Sequence, residues 1–129
     1  MDTHWAIDLG TTNTVIARWQ GTHAETVALE DVAEFEPAWQ TPLIPSLVYF
    51  EDLDQGFIGK EAIAADEVLR ATYAGRLTPL ARAFKRVLGR NSQQAVAEVG
   101  HQQVSARACA TLFLRKILER INVRERDIA

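Results

Sequence analysis

Two apolar runs stand either side of a four-residue polar break in AIDLGTTNTVIA, Ala6 to Ala17. This feature constrains the fold more than any other. The first run, WAIDL, alternates as a strand does, with Trp5, Ile7 and Leu9 on one side and Ala6 and Asp8 on the other. The second, TVIARW, reads as another strand. A link as short as GTTN forces the two to pair antiparallel, because parallel neighbours need a crossover of a dozen or more residues. A turn at GTH and a third run, ETVALE, with Val27 and Leu29 inward, extend the hairpin into an antiparallel meander.

The rest of the chain is richer in helix. Residues 31–45 read as a loop broken by Pro37, Pro42 and Pro45, with Trp39 either folded back on the sheet or anchoring a partner. SLVYF is a short strand closed by the acidic turn EDLDQG. GFIG is an extended stub, and Gly59 precedes a helix, KEAIAADEVLRAT. A second helix is expected from Thr78 and Pro79, a threonine cap followed by proline in the first helical position. Leu80, Phe84, Val87 and Leu88 would form its buried stripe and Gly89 its stop. RNSQQAVAEVGHQQ reads as a polar connection. A third helix starts at Ser105, with Ala106, Cys109, Ala110, Phe113, Ile117 and Ile121 at helical spacing. Arg120 and Arg124 in its last turn suit the helix dipole. Strands linked by turns come first and helices later, so the fold class is α/β in one unit. A long helix after a sheet normally returns a parallel strand, and the sequence stops at RERDIA instead. The sheet is therefore expected to be incomplete.

The 129 residues suit one modest domain, with 47% hydrophobic and 24% charged residues to build a core and a solvated surface. A net charge of −3 with mixed signs gives no general attraction for nucleic acid. The single cysteine, Cys109, excludes an internal disulfide and a cysteine-based metal site. His4, His23 and His101 lie far apart with no ligand spacing. MDTHW is not a signal region, and no apolar run approaches the ~18 residues of a membrane span. The expectation is a cytoplasmic protein with no membrane partner.

Aspartate is disfavoured inside strands, so Asp8 invites two readings. In one it caps backbone N–H groups of the turn or is simply exposed at a strand end. In the other, the turn is an anion cradle. Gly10 permits a tight bend with N–H groups pointing inward, and Asn13 tolerates a left-handed conformation. Thr11, Thr12 and Thr14 add hydroxyl donors without charge. Asp8 would then hold a hydrated Mg²⁺ against the phosphate. The pattern is neither a P-loop, since no lysine or helix follows the glycine, nor a dinucleotide fingerprint, which needs more glycines. Lys85, in ARAFKRVLGR, is either a lysine snorkelling from an apolar stripe or a point charge for a γ-phosphate.

Four motifs in order resemble the ATPase domain of the DnaK-like, seventy-kilodalton heat-shock chaperone family. IDLGTTNTVIA resembles its first phosphate loop. IPSLVYF resembles the strand that follows, and IGKEA the start of the next helix. AFKRVLGR resembles its lysine-bearing helix, and VSARACATLFLRKILERINV occupies the place of the helix before the next core strand. The match runs from residue 5 to residue 129. The resemblance implies a ribonuclease-H-like, actin-like ATPase fold and a protein that binds ATP or ADP and hydrolyses ATP in protein folding under stress. It implies that Asp8 binds Mg²⁺ through water, and that Gly10, Thr11, Thr12, Asn13 and Thr14 contact the β- and γ-phosphates. Lys85 would be the catalytic lysine. Residues 1–129 would be the first lobe of the nucleotide-binding domain. Its outer subdomain is shortened, since only NSQQAVAEVGHQQ fills a gap where the family has a long β-rich insertion. By this resemblance the family's second phosphate loop, adenosine pocket and peptide-binding domain would lie beyond Ala129, so the fragment alone is expected to be inactive and to bind ATP weakly. Partners in the complete protein would be ATP, unfolded clients and co-chaperones. The strand WAIDL would leave an open edge through which the fragment self-associates. DLGTT is shared with sugar kinases and other actin-like proteins, so a sugar or acid kinase and a non-enzymatic actin-like scaffold stand as alternatives. The lysine helix argues against a kinase.

Overall fold

A computed structural model describes residues 4–36, 38, 41–69 and 77–121. Strand β1 (His4–Leu9) pairs antiparallel with β2 (Asn13–Trp19), from Leu9 opposite Thr14 to His4 opposite Trp19. Exposure alternates along β1: Trp5, Ile7 and Leu9 are half-buried against the core, while His4, Ala6 and Asp8 are exposed. Strand β3 (Ala24–Thr26) pairs with the outer end of β2 and is shorter than expected. Val27 and Leu29 beyond it are half-buried against the core, and the Val27 N–H donates to the Ile16 carbonyl of β2 at 2.9 Å.

The expected loop over 31–45 is instead two strands, β4 (Glu34–Glu36) and β5 (Thr41–Pro45), paired antiparallel with each other. The C-terminal end of β5 also pairs with β2, giving the order β1-β2-β5-β4 with β3 beside β2. Proline survives here for a geometric reason. The Ser46 N–H donates to the Thr12 carbonyl at 2.8 Å, next to the Asn13–Pro45 pair. That bond makes the pair a non-hydrogen-bonded position, where the missing proline N–H costs no ladder bond. Pro37 and Trp39 lie outside the described residues, as do the expected helix residues Arg70 to Thr72 and the dipole residue Arg124.

Strands β6 (Val48–Phe50) and β7 (Gly56–Ile58) form a hairpin across the acidic turn, and α1 (Gly59–Leu69) follows at the expected place. The helix expected from Thr78 is corrected. Leu80 and Ala81 form strand β8 (Leu80–Ala81) on the free edge of β6, and only Phe84–Leu88 is helical, as α2 (Phe84–Leu88). The Thr78 hydroxyl does accept the Leu80 N–H at 3.1 Å, but in a turn and not a helix cap. Pairing buries Leu80 and Ala81 to 6% and 0% exposure, and this tertiary gain overrides a local start signal. Ala83, left-handed at φ 50°, separates strand from helix.

The expected polar connection also contains structure. Strands β9 (Ala95–Val99) and β10 (Gln102–Ser105) form a hairpin through Gly100 and His101, with Gly100 at φ 62°. A glycine first in a two-residue link is a hairpin signal. Ala97 and Val104, directly opposite, are both buried. Helix α3 (Ala106–Ile121) starts as expected, with the Ser105 hydroxyl accepting the Ala108 N–H at 3.1 Å. Its buried stripe of Ala106, Cys109, Ala110, Phe113 and Ile117 matches the spacing, with Leu112 added. Phe113 meets Phe84 of α2 with ring centroids 5.5 Å apart and planes tilted by 56°. Arg120 reaches Asp31 at 2.7 Å, tying the end of α3 to the chain between β3 and β4.

The described fold is thus mixed α/β, with antiparallel strands in three small sheets and three helices. Among the described residues no helix is long and apolar enough to cross a membrane.

Cys109 gives a test of this packing. It is fully buried, and burial pushes its thiol pKa well above the ordinary 9.0. A disulfide reagent at neutral pH should leave it unlabelled in the folded chain, with labelling following global unfolding. The neutral thiol is favoured only when folded. This part of the stability is therefore complete below pH 9.0 and falls as pH rises beyond it, by at most about 1.4 kcal/mol per pH unit. Thermal melts on the wild-type chain and on Cys109→Ala should show a slope above that pH in the first and a shallower one in the second.

Candidate functional site

The turn between β1 and β2, Gly10 to Asn13, is shaped from below by a residue 36 positions away from its glycine. Ser46 is 1% exposed in the bend after β5. Its hydroxyl donates to the Gly10 carbonyl at 2.8 Å, and its N–H donates to the Thr12 carbonyl at 2.8 Å. The hydroxyls of Ser46 and Thr14 lie 2.9 Å apart in the interior. A serine hydroxyl has one proton. Since Ser46 gives it to Gly10, Thr14 is the donor to Ser46.

This arrangement orients the rest of the turn. In a trans peptide the carbonyl and the following N–H point opposite ways, and the described chain has no cis peptide. The Gly10 and Thr12 carbonyls are drawn down to Ser46, so the N–H groups of Thr11 and Asn13 are turned away from it. Gly10 is needed for closeness. A Cβ there would fall 2.2 Å from the Asn13 carbonyl oxygen, well inside contact distance.

The side chains sort accordingly. Asp8 is exposed on the outer face of β1, opposite Val15, and Thr12 is exposed at the tip of the turn. Thr11, Asn13 and Gly10 are half-buried. Thr14 is 0% exposed, and its hydroxyl bonds inward to Ser46, so it supports the turn from within. Lys85 is exposed on α2, an element that packs chiefly against α3. The hairpin therefore gathers Asp8 and Gly10 to Asn13 at one end, with Lys85 on a separate element. Ser46 is the one residue of this site that was not singled out from the sequence.

Among the described residues no three His, Cys, Asp or Glu side chains cluster as a metal site. A hydrated Mg²⁺ asks for less: one or two carboxylates, water and phosphate oxygens. The single carboxylate of Asp8 beside the turn fits that donor set. Among the described residues, two surface hollows lie elsewhere. One, of about 500 Å³, is lined by Ala33, Phe35, Pro42 and Lys60 among others. The other, of about 300 Å³, lies by Arg107 and Arg115 at the start of α3. The first N–H groups of that helix are already bonded, to the carbonyls of Gln94 and Ser92 and to the Ser105 hydroxyl, which leaves no free donor set for an anion there.

No protein-family model matches the chain, and no curated protein matches it.

Proposed function

We propose that the β1–β2 turn holds the β- and γ-phosphates of ATP, in an ATP-hydrolysing protein of the actin-like, ribonuclease-H-like type whose work is chaperone-like. The observation that carries the reading is the bonding of the Gly10 and Thr12 carbonyls to Ser46, beside the exposed Asp8 and Thr12; in trans peptides it turns the N–H groups of Thr11 and Asn13 away from Ser46. Backbone N–H groups at a glycine turn can bind an anion without a net positive charge. Fixed donors of this kind also need no reorganisation as charge moves onto the phosphoryl oxygens. Asp8 would hold Mg²⁺ through water, and the Thr12 hydroxyl would donate to a phosphate oxygen. When bound, Mg²⁺ neutralises phosphate charge. Lys85 would bring an ammonium to the γ-phosphate or to the attacking water, the one step that requires α2 to face the turn. Phosphoryl transfer depends mostly on positioning and charge neutralisation, which is what these parts offer.

Titration of the ¹⁵N-labelled chain with Mg·ATP is the test. Amide shifts should concentrate at Gly10 to Asn13, with a Kd on the order of 1 mM, about −4 kcal/mol, for contacts to the phosphates alone. Asp8→Asn should weaken Mg·ATP about tenfold and leave Mg-free ATP nearly unchanged. Shifts scattered over other surfaces, or none at the turn, would overturn the proposal.

A further inference from the structure

We propose that the hollow beside β4 takes a short extended peptide of alternating basic and apolar residues, which pairs with the outer side of β4 and sets an apolar side chain against Phe35. The hollow, of about 500 Å³, lies where the β4–β5 hairpin, the chain before β4 and the first turn of α1 meet. Its walls are held by backbone bonds. The Val32 and Ala33 N–H groups donate to the Leu29 carbonyl at 3.0 and 2.8 Å, and the Lys60 N–H donates to the Val32 carbonyl at 2.9 Å. A wall formed in advance leaves little ordering to be done on binding. Ala33, Phe35 and Pro42 give apolar lining, and Phe35, at 59%, is the most exposed large hydrophobic residue among those described.

The ladder decides which backbone groups face outward. Successive residues of an antiparallel strand turn their N–H and C=O groups to opposite sides. The non-hydrogen-bonded Asn13–Pro45 pair makes Ile44 the β5 residue that exchanges bonds with β2. Leu43 and Thr41 therefore turn to β4, where they lie opposite Glu34 and Glu36. Phe35, opposite Pro42, is left with its N–H and C=O directed away from β5. Among the described residues β4 pairs with no other strand. It stands at the end of the sheet opposite β1, so a strand added beside β1 does not reach it. A peptide residue paired with Phe35 gains two backbone bonds and sets its side chain on the face of Phe35. Its neighbours fall on the face of Glu34. Charge then selects the partner. Glu30 and Glu34 line the hollow against the single ammonium of Lys60, and none of the three forms an ion pair among the described residues. Basic side chains flanking the apolar anchor complement that excess of carboxylate, and acidic ones are repelled.

The hollow is apart from the β1–β2 turn, so the test is made without nucleotide and its result leaves the phosphate reading untouched. A capped Lys-Val-Lys-Val-Lys peptide, titrated into the ¹⁵N-labelled chain, should shift the amides of Ala33 to Phe35 with a Kd on the order of 0.1 mM. Capped Lys-Ser-Lys-Ser-Lys lacks the anchor, and capped Glu-Val-Glu-Val-Glu reverses the charge. Each should bind about tenfold more weakly or worse. Glu34→Lys should weaken the basic peptide about tenfold and strengthen the acidic one. Phe35→Ser should weaken the basic peptide by a similar factor. Both positions are exposed, and far-ultraviolet circular dichroism confirms that the variants fold. No shift at β4, shifts spread over other acidic surfaces, or equal binding of the three peptides overturns the proposal. So does a Phe35 shift that grows with protein concentration alone and tracks a dimer in sedimentation velocity, since a second copy is then the occupant.

Discussion

Phe113→Ala is expected to cost about 3–5 kcal/mol of folding stability, the largest effect of any single truncation in the core. Phe113 is 0% exposed at the middle of α3 and touches Phe84, itself 0% exposed, on α2. Removing the ring deletes its transfer from water and leaves a cavity that a ring-lined interior closes only in part. A domain of this size has about 5–15 kcal/mol in total, so a large fraction of the margin goes with one side chain. The loss also has a local consequence. Helix α2 has one turn and a half, too short to stand by itself. Phe84 is its buried residue, and Phe113 is the ring it meets. Lys85 rides on that helix, so loosening the ring pair frees the lysine as well as the core. Urea denaturation monitored by fluorescence reads the stability, and amide exchange on α2 reads the loosening. Phe113→Leu, which keeps most of the volume, should cost clearly less than Phe113→Ala. Equal costs, or a Phe113→Ala loss below about 1 kcal/mol, would mean that the α2–α3 contact does not hold the core.

The parts of the fold that were legible in sequence are those in which local and tertiary preferences agree. The β1–β2 hairpin has strict alternation and a link too short for any other pairing. Helix α3 has a serine cap and an apolar stripe at a steady spacing, and both are realised. Where the two levels disagree, the reading failed. Proline marked 31–45 as loop, yet Pro45 occupies a position whose N–H the ladder does not use. Thr78 and Pro79 carry a good helix start, yet the free edge of β6 takes Leu80 and Ala81 into a sheet. The β9–β10 hairpin was hidden because glutamines and a glutamate dilute its alternation, although Gly100 was a visible mark. In the candidate site, Asp8 and the turn can be singled out together because they are contiguous. Thr14 could have been placed inward by counting, since it shares strand parity with the buried Ile16. Ser46 could not, because its role is a hydrogen bond across 36 residues that no local pattern encodes.

Gly10→Ala is expected to remove phosphate contact at the turn and to lower stability, and Ser46→Ala to do the same by a different route. At Gly10 the obstacle is steric. The added methyl carbon would meet the Asn13 carbonyl oxygen at 2.2 Å, a backbone atom that moves only if the turn opens. Opening it breaks the descent of the Gly10 and Thr12 carbonyls to Ser46, and with it the constraint that turns the Thr11 and Asn13 N–H groups away from Ser46. At Ser46 the backbone fits but the donor is gone. The Gly10 carbonyl and the Thr14 hydroxyl, both bonded to Ser46, lose their buried partner, at about 1–3 kcal/mol for the unsatisfied groups. The Ser46 N–H to the Thr12 carbonyl survives that substitution, so half of the clamp remains. Mg·ATP titration read at the Thr11 and Asn13 amides should therefore rank wild type over Ser46→Ala over Gly10→Ala, with the middle variant about tenfold weaker than the first. Ser46→Thr, which returns the hydroxyl, should recover most of the affinity. A structural role alone would lower the melting temperature of all three variants while leaving the affinity of the folded fraction unchanged. Unchanged affinity of that kind would detach the clamp from the phosphate site, even if the turn itself binds.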